Sequence, residues 1–97
     1  MAIQLKDLNQ LKVMRRAGIV VAEIHQLIRD AVKPGMTTSA LDAIASAHIK
    51  RSGATSNFLN YHGFPATICV SINDEIVHGI PGPRVINEGD VVSIDCG

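Results

Sequence analysis

Apolar residues recur at helical spacing through the first half of the chain and at strand spacing through the second, with the change falling near residue 54. Leu11, Met14, Val21, Ile24 and Ile28 form one apolar face of a first helix. Asp7 followed by Gln10 has the form of a capping box, in which a side-chain oxygen accepts an otherwise orphaned backbone N–H. Lys33-Pro34-Gly35 ends that helix, because proline disfavours helical geometry in the residue before it. Thr37 or Thr38 caps a second helix whose face carries Leu41, Ile44, Ala45 and Ile49, and Ser52-Gly53 stops it.

From there the period becomes two. Ala66, Ile68, Val70 and Ile72 alternate with Thr67, Cys69, Ser71 and Asn73, predicting a strand with one apolar face and one small, polar face. Gly79-Ile80-Pro81-Gly82-Pro83 reads as a loop, since glycine and proline at this density suit neither element. Asn87-Glu88-Gly89-Asp90 is a turn into a last strand, Val91–Cys96. The expected fold class is therefore α/β (α+β), two helices followed by antiparallel-rich strands. The sequence shows no repeat or low-complexity tract.

Composition narrows the class further. The 97 residues are 46 % apolar and 19 % charged, the profile of a folded globular domain. Nine basic residues balance nine acidic ones, which leaves no electrostatic reason to expect a nucleic acid or an anionic membrane as partner. The longest apolar stretch, Ala17 to Leu27, is broken by Glu23 and His25 and is too short to span a bilayer. Cys69 and Cys96 form no CxxC pair, which fits a reducing, cytoplasmic setting better than a disulfide scaffold.

Several residues could carry chemistry. Asp95 lies between Ile94 and Cys96 in a strand-like run, where aspartate fits poorly. Either backbone N–H groups at a strand end receive its carboxylate, or it is a hard oxygen ligand for a divalent metal. His78 follows Ile76-Val77, and a histidine leaving a strand onto a constrained loop can present a ring nitrogen to a cleft. His62, between Tyr61 and Gly63, has the same two readings, structural or functional. Tyr61, Phe64 and Cys69, with Phe58, make an apolar group with a polar edge: plain core, or the lining of a cavity. His25 and His48 lie beside the helical stripes and are assigned no chemistry.

The order of these pieces is specific. Tyr61-His62-Gly63-Phe64-Pro65, Ile68-Cys69-Val70-Ser71-Ile72-Asn73, Val77-His78-Gly79-Ile80-Pro81 and Gly89-Asp90-Val91-Val92-Ser93-Ile94-Asp95 together closely resemble type I methionine aminopeptidases. Met14-Arg15-Arg16-Ala17-Gly18 and Lys33-Pro34-Gly35 followed by Leu41-Asp42 resemble them too. The resemblance implies a pita-bread fold, with residues 1–97 as the N-terminal part of one catalytic domain whose C-terminal half is absent. It implies removal of the initiator methionine from nascent chains at a centre of two divalent metals (cobalt, manganese, iron, zinc or nickel). It places Asp95 at the first metal-ligand aspartate; the second aspartate, the histidine and the two glutamates of that set are expected beyond Gly97. His78 falls at the catalytic histidine that contacts substrate near the scissile bond. Tyr61, Phe64 and Cys69 fall at the methionine pocket, with Phe58 and His62 beside it, and Asn73 near a monovalent-cation site of some members. The implied partners are a peptide with N-terminal methionine and, through the nascent chain, the ribosome. The complete enzyme is expected to be a monomer, while the 97-residue chain is expected to be inactive alone and prone to self-association. Two rival readings remain: another pita-bread hydrolase such as a prolidase or aminopeptidase P, and a non-catalytic relative or fragment that acts as a binding module.

Overall fold

The structure, a computed structural model, describes residues 3–97. Two α-helices, α1 (Leu8–Ala31) and α2 (Thr38–Arg51), precede a short 3-10 turn (Tyr61–Gly63) and two strands, β1 (Cys69–Ile72) and β2 (Val92–Asp95). The expected mixture of elements and their order are both present.

Helix α1 begins where the capping box requires. The Gln10 N–H donates to Asp7 Oδ1 and the Asp7 N–H donates to Gln10 Oε1, each at 2.8 Å. Its apolar stripe is only half used. Ile24 and Ile28 are buried, but Leu11 and Met14, expected on the same core face, are about half exposed. The reason is length. At 24 residues α1 outruns the 14-residue α2, and every residue from 3 to 19 is exposed. The overhang also explains an elongated outline of 45 × 30 × 22 Å and a radius of gyration of 14.6 Å. A compact chain of this length would give about 12.5 Å. Helix α2 starts at Thr37, whose hydroxyl accepts the Ala40 N–H at 3.2 Å, and buries Leu41, Ala45 and Ile49.

Strands β1 and β2 pair antiparallel, with Cys69 opposite Asp95 and Ile72 opposite Val92. Ile68, Val70 and Ile72 pack with Ile24, Ile28, Leu41, Ala45, Ile49 and Ile86 in one core. The expected alternation of β1 does not appear in its burial: Cys69 and Ser71 are as buried as their apolar neighbours. Loops, not solvent, cover that second face. The strand is also shorter than the Ala66–Asn73 pattern. At its start, Asp42 on α2 takes both the Thr67 and Ile68 N–H groups, at 2.9 Å each.

The connection from β1 to β2 is pinned back onto the helices. Gly35 donates to the Ile86 carbonyl and Ile86 to the Met36 carbonyl, both at 2.8 Å. Farther along, the Thr38 hydroxyl donates to the Gly82 carbonyl at 3.2 Å and accepts the Gly82 N–H at 2.8 Å. Among the described residues, no helix is long and apolar enough to cross a membrane.

Candidate functional site

Two loops and both strands meet at a cavity of about 460 Å³ lined by Phe58, Tyr61, His62, Gly63, Phe64, Pro65, Cys69, His78, Ile80 and Asp95. Every residue singled out in the sequence for substrate, divalent metal or catalysis is among them; Asn73, singled out for a monovalent cation, is not. Gly63, Pro65 and Ile80 join the wall without having been singled out.

The aromatic side comes from the segment before β1. Ser56 organises it: its hydroxyl donates to the Thr67 carbonyl at 2.8 Å and accepts from the Phe58 and Leu59 N–H groups at 3.2 and 3.4 Å. Asn57 donates to the Gly97 carbonyl at 3.1 Å, which ties the segment to the residues after β2. Phe58 and Phe64 then meet edge to face with centroids 6.3 Å apart. Tyr61 packs edgewise on the His62 ring at 4.2 Å. Holding this turn requires left-handed backbone at Asn60 (φ 67°) and His62 (φ 48°), a geometry uncommon for residues with a side chain.

The polar side comes from β1, β2 and the His78 loop. Because Cys69 and Asp95 are directly opposed in the sheet, their side chains share one face and both reach the cavity. Burial, and then the charge of Asp95, push the Cys69 thiol up from its usual range. The same two causes act in the same order on Cys96. Both cysteines are free and held as thiols, so Cys69 offers a soft, uncharged wall and not a nucleophile.

His78 does not leave a strand, as the sequence led one to expect. Ile76 and Val77 before it are exposed and irregular, and His78 itself is left-handed at φ 58°. What fixes it is the residue after it. Gly79 is buried, its carbonyl accepts the Val70 N–H at 3.0 Å, and its own N–H donates to Ser71 Oγ at 3.0 Å. A Cβ at Gly79 would run into the Val70 carbonyl oxygen and approach its carbon at 2.8 Å, so only glycine fits.

Asp95 differs from the buried carboxylate that a strand interior implies. It is exposed at the cavity and takes part in neither of the two ion pairs among the described residues. Asp42 and Asp90, by contrast, are committed to backbone N–H groups. An accessible, unpaired carboxylate suits a metal ligand. Among the described residues, however, no group of three or more histidines, cysteines, aspartates or glutamates could hold an ion. The chain fits one ligand of a metal centre and does not complete one. Asn73, expected near a monovalent cation, is occupied structurally: its carboxamide donates to Asp90 at 3.0 Å and accepts the Val91 N–H at 2.9 Å.

Three residues that hold the site, Asp42, Ser56 and Ser71, are not singled out by the sequence. Asp42 and Ser71 carry one signal, a polar residue directly after the core positions Leu41 and Val70, whereas Ser56 carries none.

The sequence profile described as metallopeptidase family M24 matches residues 12–97. The chain belongs to this family. An M24 metallopeptidase is by its description a metal-dependent hydrolase of peptides, which accords with a free carboxylate beside an apolar cavity. The chain is 49 % identical over 92 residues to methionine aminopeptidase 1 of Bacillus subtilis, covering 95 % of this chain and 37 % of the relative. It is 52 % identical over 93 residues to methionine aminopeptidase 1 of Mycobacterium tuberculosis, covering 95 % of this chain and 35 % of the relative. The crystal structure of methionine aminopeptidase from Rickettsia prowazekii superposes with a TM-score of 0.91 at 39 % identity, covering 96 % of this chain and 38 % of that one. The Thermotoga maritima methionine aminopeptidase gives a TM-score of 0.93 at 32 % identity, with the same coverage. The M24 fold is thus the architecture of this chain, which spans less than two-fifths of the length of these relatives.

Proposed function

We propose that the cavity is the N-terminal share of a methionine aminopeptidase site, which removes the initiator methionine from nascent polypeptides. The observation that carries this reading is convergence: Phe58, Tyr61, Phe64, Cys69, His78 and Asp95 line a single cavity. In this reading residues 1–97 are one part of a single catalytic domain.

The division of labour follows from the wall. A methionine side chain enters among the aromatic rings and the protonated Cys69 thiol, where a polarizable thioether packs well. Such a pocket selects by shape, at about 1–3 kcal/mol per methylene. His62, braced by Tyr61, flanks that entry. His78, which lines the same cavity, donates a hydrogen bond to the carbonyl oxygen of the scissile bond as negative charge develops there. Asp95 is a ligand of a centre of two divalent ions, whose chemistry when bound is to polarise that carbonyl and to make water a stronger nucleophile. One carboxylate does not select among cobalt, manganese, iron, zinc and nickel. The substrate is a peptide or nascent chain beginning with methionine, met at the ribosome in the cytoplasm.

A second reading has its own support. Because Asp95 lacks companion ligands among the described residues, the 97 residues taken alone form a binding module for such peptides and not a catalyst.

Titration of the isotopically labelled chain with Met-Ala-Ser and with Lys-Ala-Ser tests the pocket directly by NMR. Methionine peptide is expected to shift the signals of Phe58, Tyr61, Cys69 and His78, and the lysine peptide to leave them in place. Equal responses to both peptides would overturn the assignment.

A further inference from the structure

The loop that carries His78 is held at two points by side-chain hydroxyls. On one side the Ser71 hydroxyl accepts the Gly79 N–H at 3.0 Å within the core. On the other, the Thr38 hydroxyl both donates to and accepts from Gly82. Ser71 and Gly79 are both buried, so their bond is shielded from bulk water, whereas Gly82 is half-buried and the Thr38 bonds are partly shielded.

The consequence for His78 is geometric. Left-handed backbone is unfavourable for a residue with a side chain, so His78 adopts it only where its neighbours over-determine the path. Immediately after it, Gly79 has two backbone bonding groups, and both are taken by β1: the carbonyl by Val70 and the N–H by Ser71. Replacing the Ser71 hydroxyl removes one of these two contacts and leaves a buried N–H without an acceptor. The free choice for the loop is then to swing Gly79 away from β1 toward water, which relaxes His78 and carries its imidazole off the cavity lip. Ser71 itself does not line the cavity.

We infer that Ser71 is a positioning residue for His78: by clasping Gly79 to β1 it enforces the left-handed turn that presents the imidazole to substrate. This rests on the reading of the cavity as a methionine-peptide site, in which His78 meets the scissile carbonyl.

The test is NMR on the 97-residue chain and three variants, Ser71→Ala, Ser71→Cys and Ser71→Thr. Hydrogen exchange of the Gly79 amide reports the clasp, and the His78 ring signals on addition of Met-Ala-Ser report the placement. Amides of α2 serve as the control for an intact fold. Gly79 exchange is expected to be slow in the unsubstituted chain and about tenfold faster in Ser71→Ala, the weight of one hydrogen bond. The His78 response to peptide should fade in Ser71→Ala while the Phe58 and Tyr61 responses persist, and Ser71→Thr should restore both readouts. Ser71→Cys, a poorer acceptor of similar size, should behave like alanine. Unchanged Gly79 exchange in Ser71→Ala overturns the inference. So does fast exchange of Gly79 in the unsubstituted chain, a result available even if no variant folds. Slow Gly79 exchange with a His78 that ignores peptide in the unsubstituted chain overturns the cavity reading, and reduces Ser71 to a structural clasp.

Discussion

On one face of β1, Val70 and Ile72, with Ile68 just before them, sink against Leu41, Ala45 and Ile49 of α2 and Ile24 and Ile28 of α1. On the other face, Cys69 and Ser71 meet loops: Cys69 at the cavity with the aromatic turn and Asp95, Ser71 against Gly79. Both faces are buried, yet they are built differently. The helix side is filled by interchangeable aliphatic volume from regular elements. The loop side is fixed by individual polar contacts to backbone groups, from Ser56 and Ser71, with Asp42 reaching across from α2 to the start of β1. It also holds residues in left-handed conformations, Asn60, His62 and His78. Backbone strain of this kind accumulates where a side chain must be aimed and not merely buried. The helix side carries the stability; the loop side carries the geometry of the site.

Substitutions should therefore separate the two faces in kind as well as in size. The largest effect is expected from Leu41→Ala, which empties the middle of the helix side. It should lower unfolding free energy by about 2–5 kcal/mol in urea denaturation, against a total of about 5–15 kcal/mol for a domain. A loss no larger than that of a surface substitution would break the comparison. Asp42→Ala comes next, since it leaves the Thr67 and Ile68 N–H groups without their charged acceptor. A destabilisation of about 1.5–3 kcal/mol is expected, with faster hydrogen exchange concentrated at those two amides.

His78→Gly should sharpen the contrast from the other direction. Glycine relieves the left-handed strain but gains freedom in the unfolded chain. Stability should stay within about 1 kcal/mol of the unsubstituted protein, while the response to methionine peptide at the polar lip disappears. A strongly destabilised His78→Gly would show that His78 belongs to the scaffold. The smallest effect concerns Asp90, whose carboxyl is held below its usual range chiefly by the Asn87 N–H and then by the Asn73 carboxamide. A carboxyl depressed in the folded state adds stability above its unfolded pKa, and that contribution is lost as pH falls through the folded value. Acid titration of stability should therefore show a small loss below pH 3.8, the ordinary value, that Asp90→Asn lacks.

The same contrast explains what could be read from the sequence. The helix side was legible because capping and periodicity act locally: Asp7 and Gln10 cap α1, Thr37 caps α2, and Leu41, Ala45 and Ile49 face inward. Where periodicity misled, at Leu11 and Met14, the helix is sound but its partner is too short to cover it. Periodicity states which face is apolar, not whether anything lies against it. On the loop side the candidate site residues, which line one cavity, were picked out through their resemblance to a family. Their supports were not, because the Ser71–Gly79 and Asp42–Ile68 bonds join residues 8 and 26 positions apart. Nor does a strand pattern disclose that loops will bury its polar face, as they bury Cys69 and Ser71.

As proposed above, this chain supplies His78 and Asp95 to a methionine aminopeptidase site that the described residues do not complete. Methionine release from Met-Ala-Ser, measured with manganese or cobalt present, tests it most directly. The 97-residue chain would be assayed alone and then mixed with the portion of the Bacillus subtilis relative beyond the matched residues. The expected outcome is no release by the chain alone, release by the mixture, and none when the chain carries Asp95→Asn. Turnover by the chain alone, or a mixture indifferent to Asp95→Asn, would contradict it.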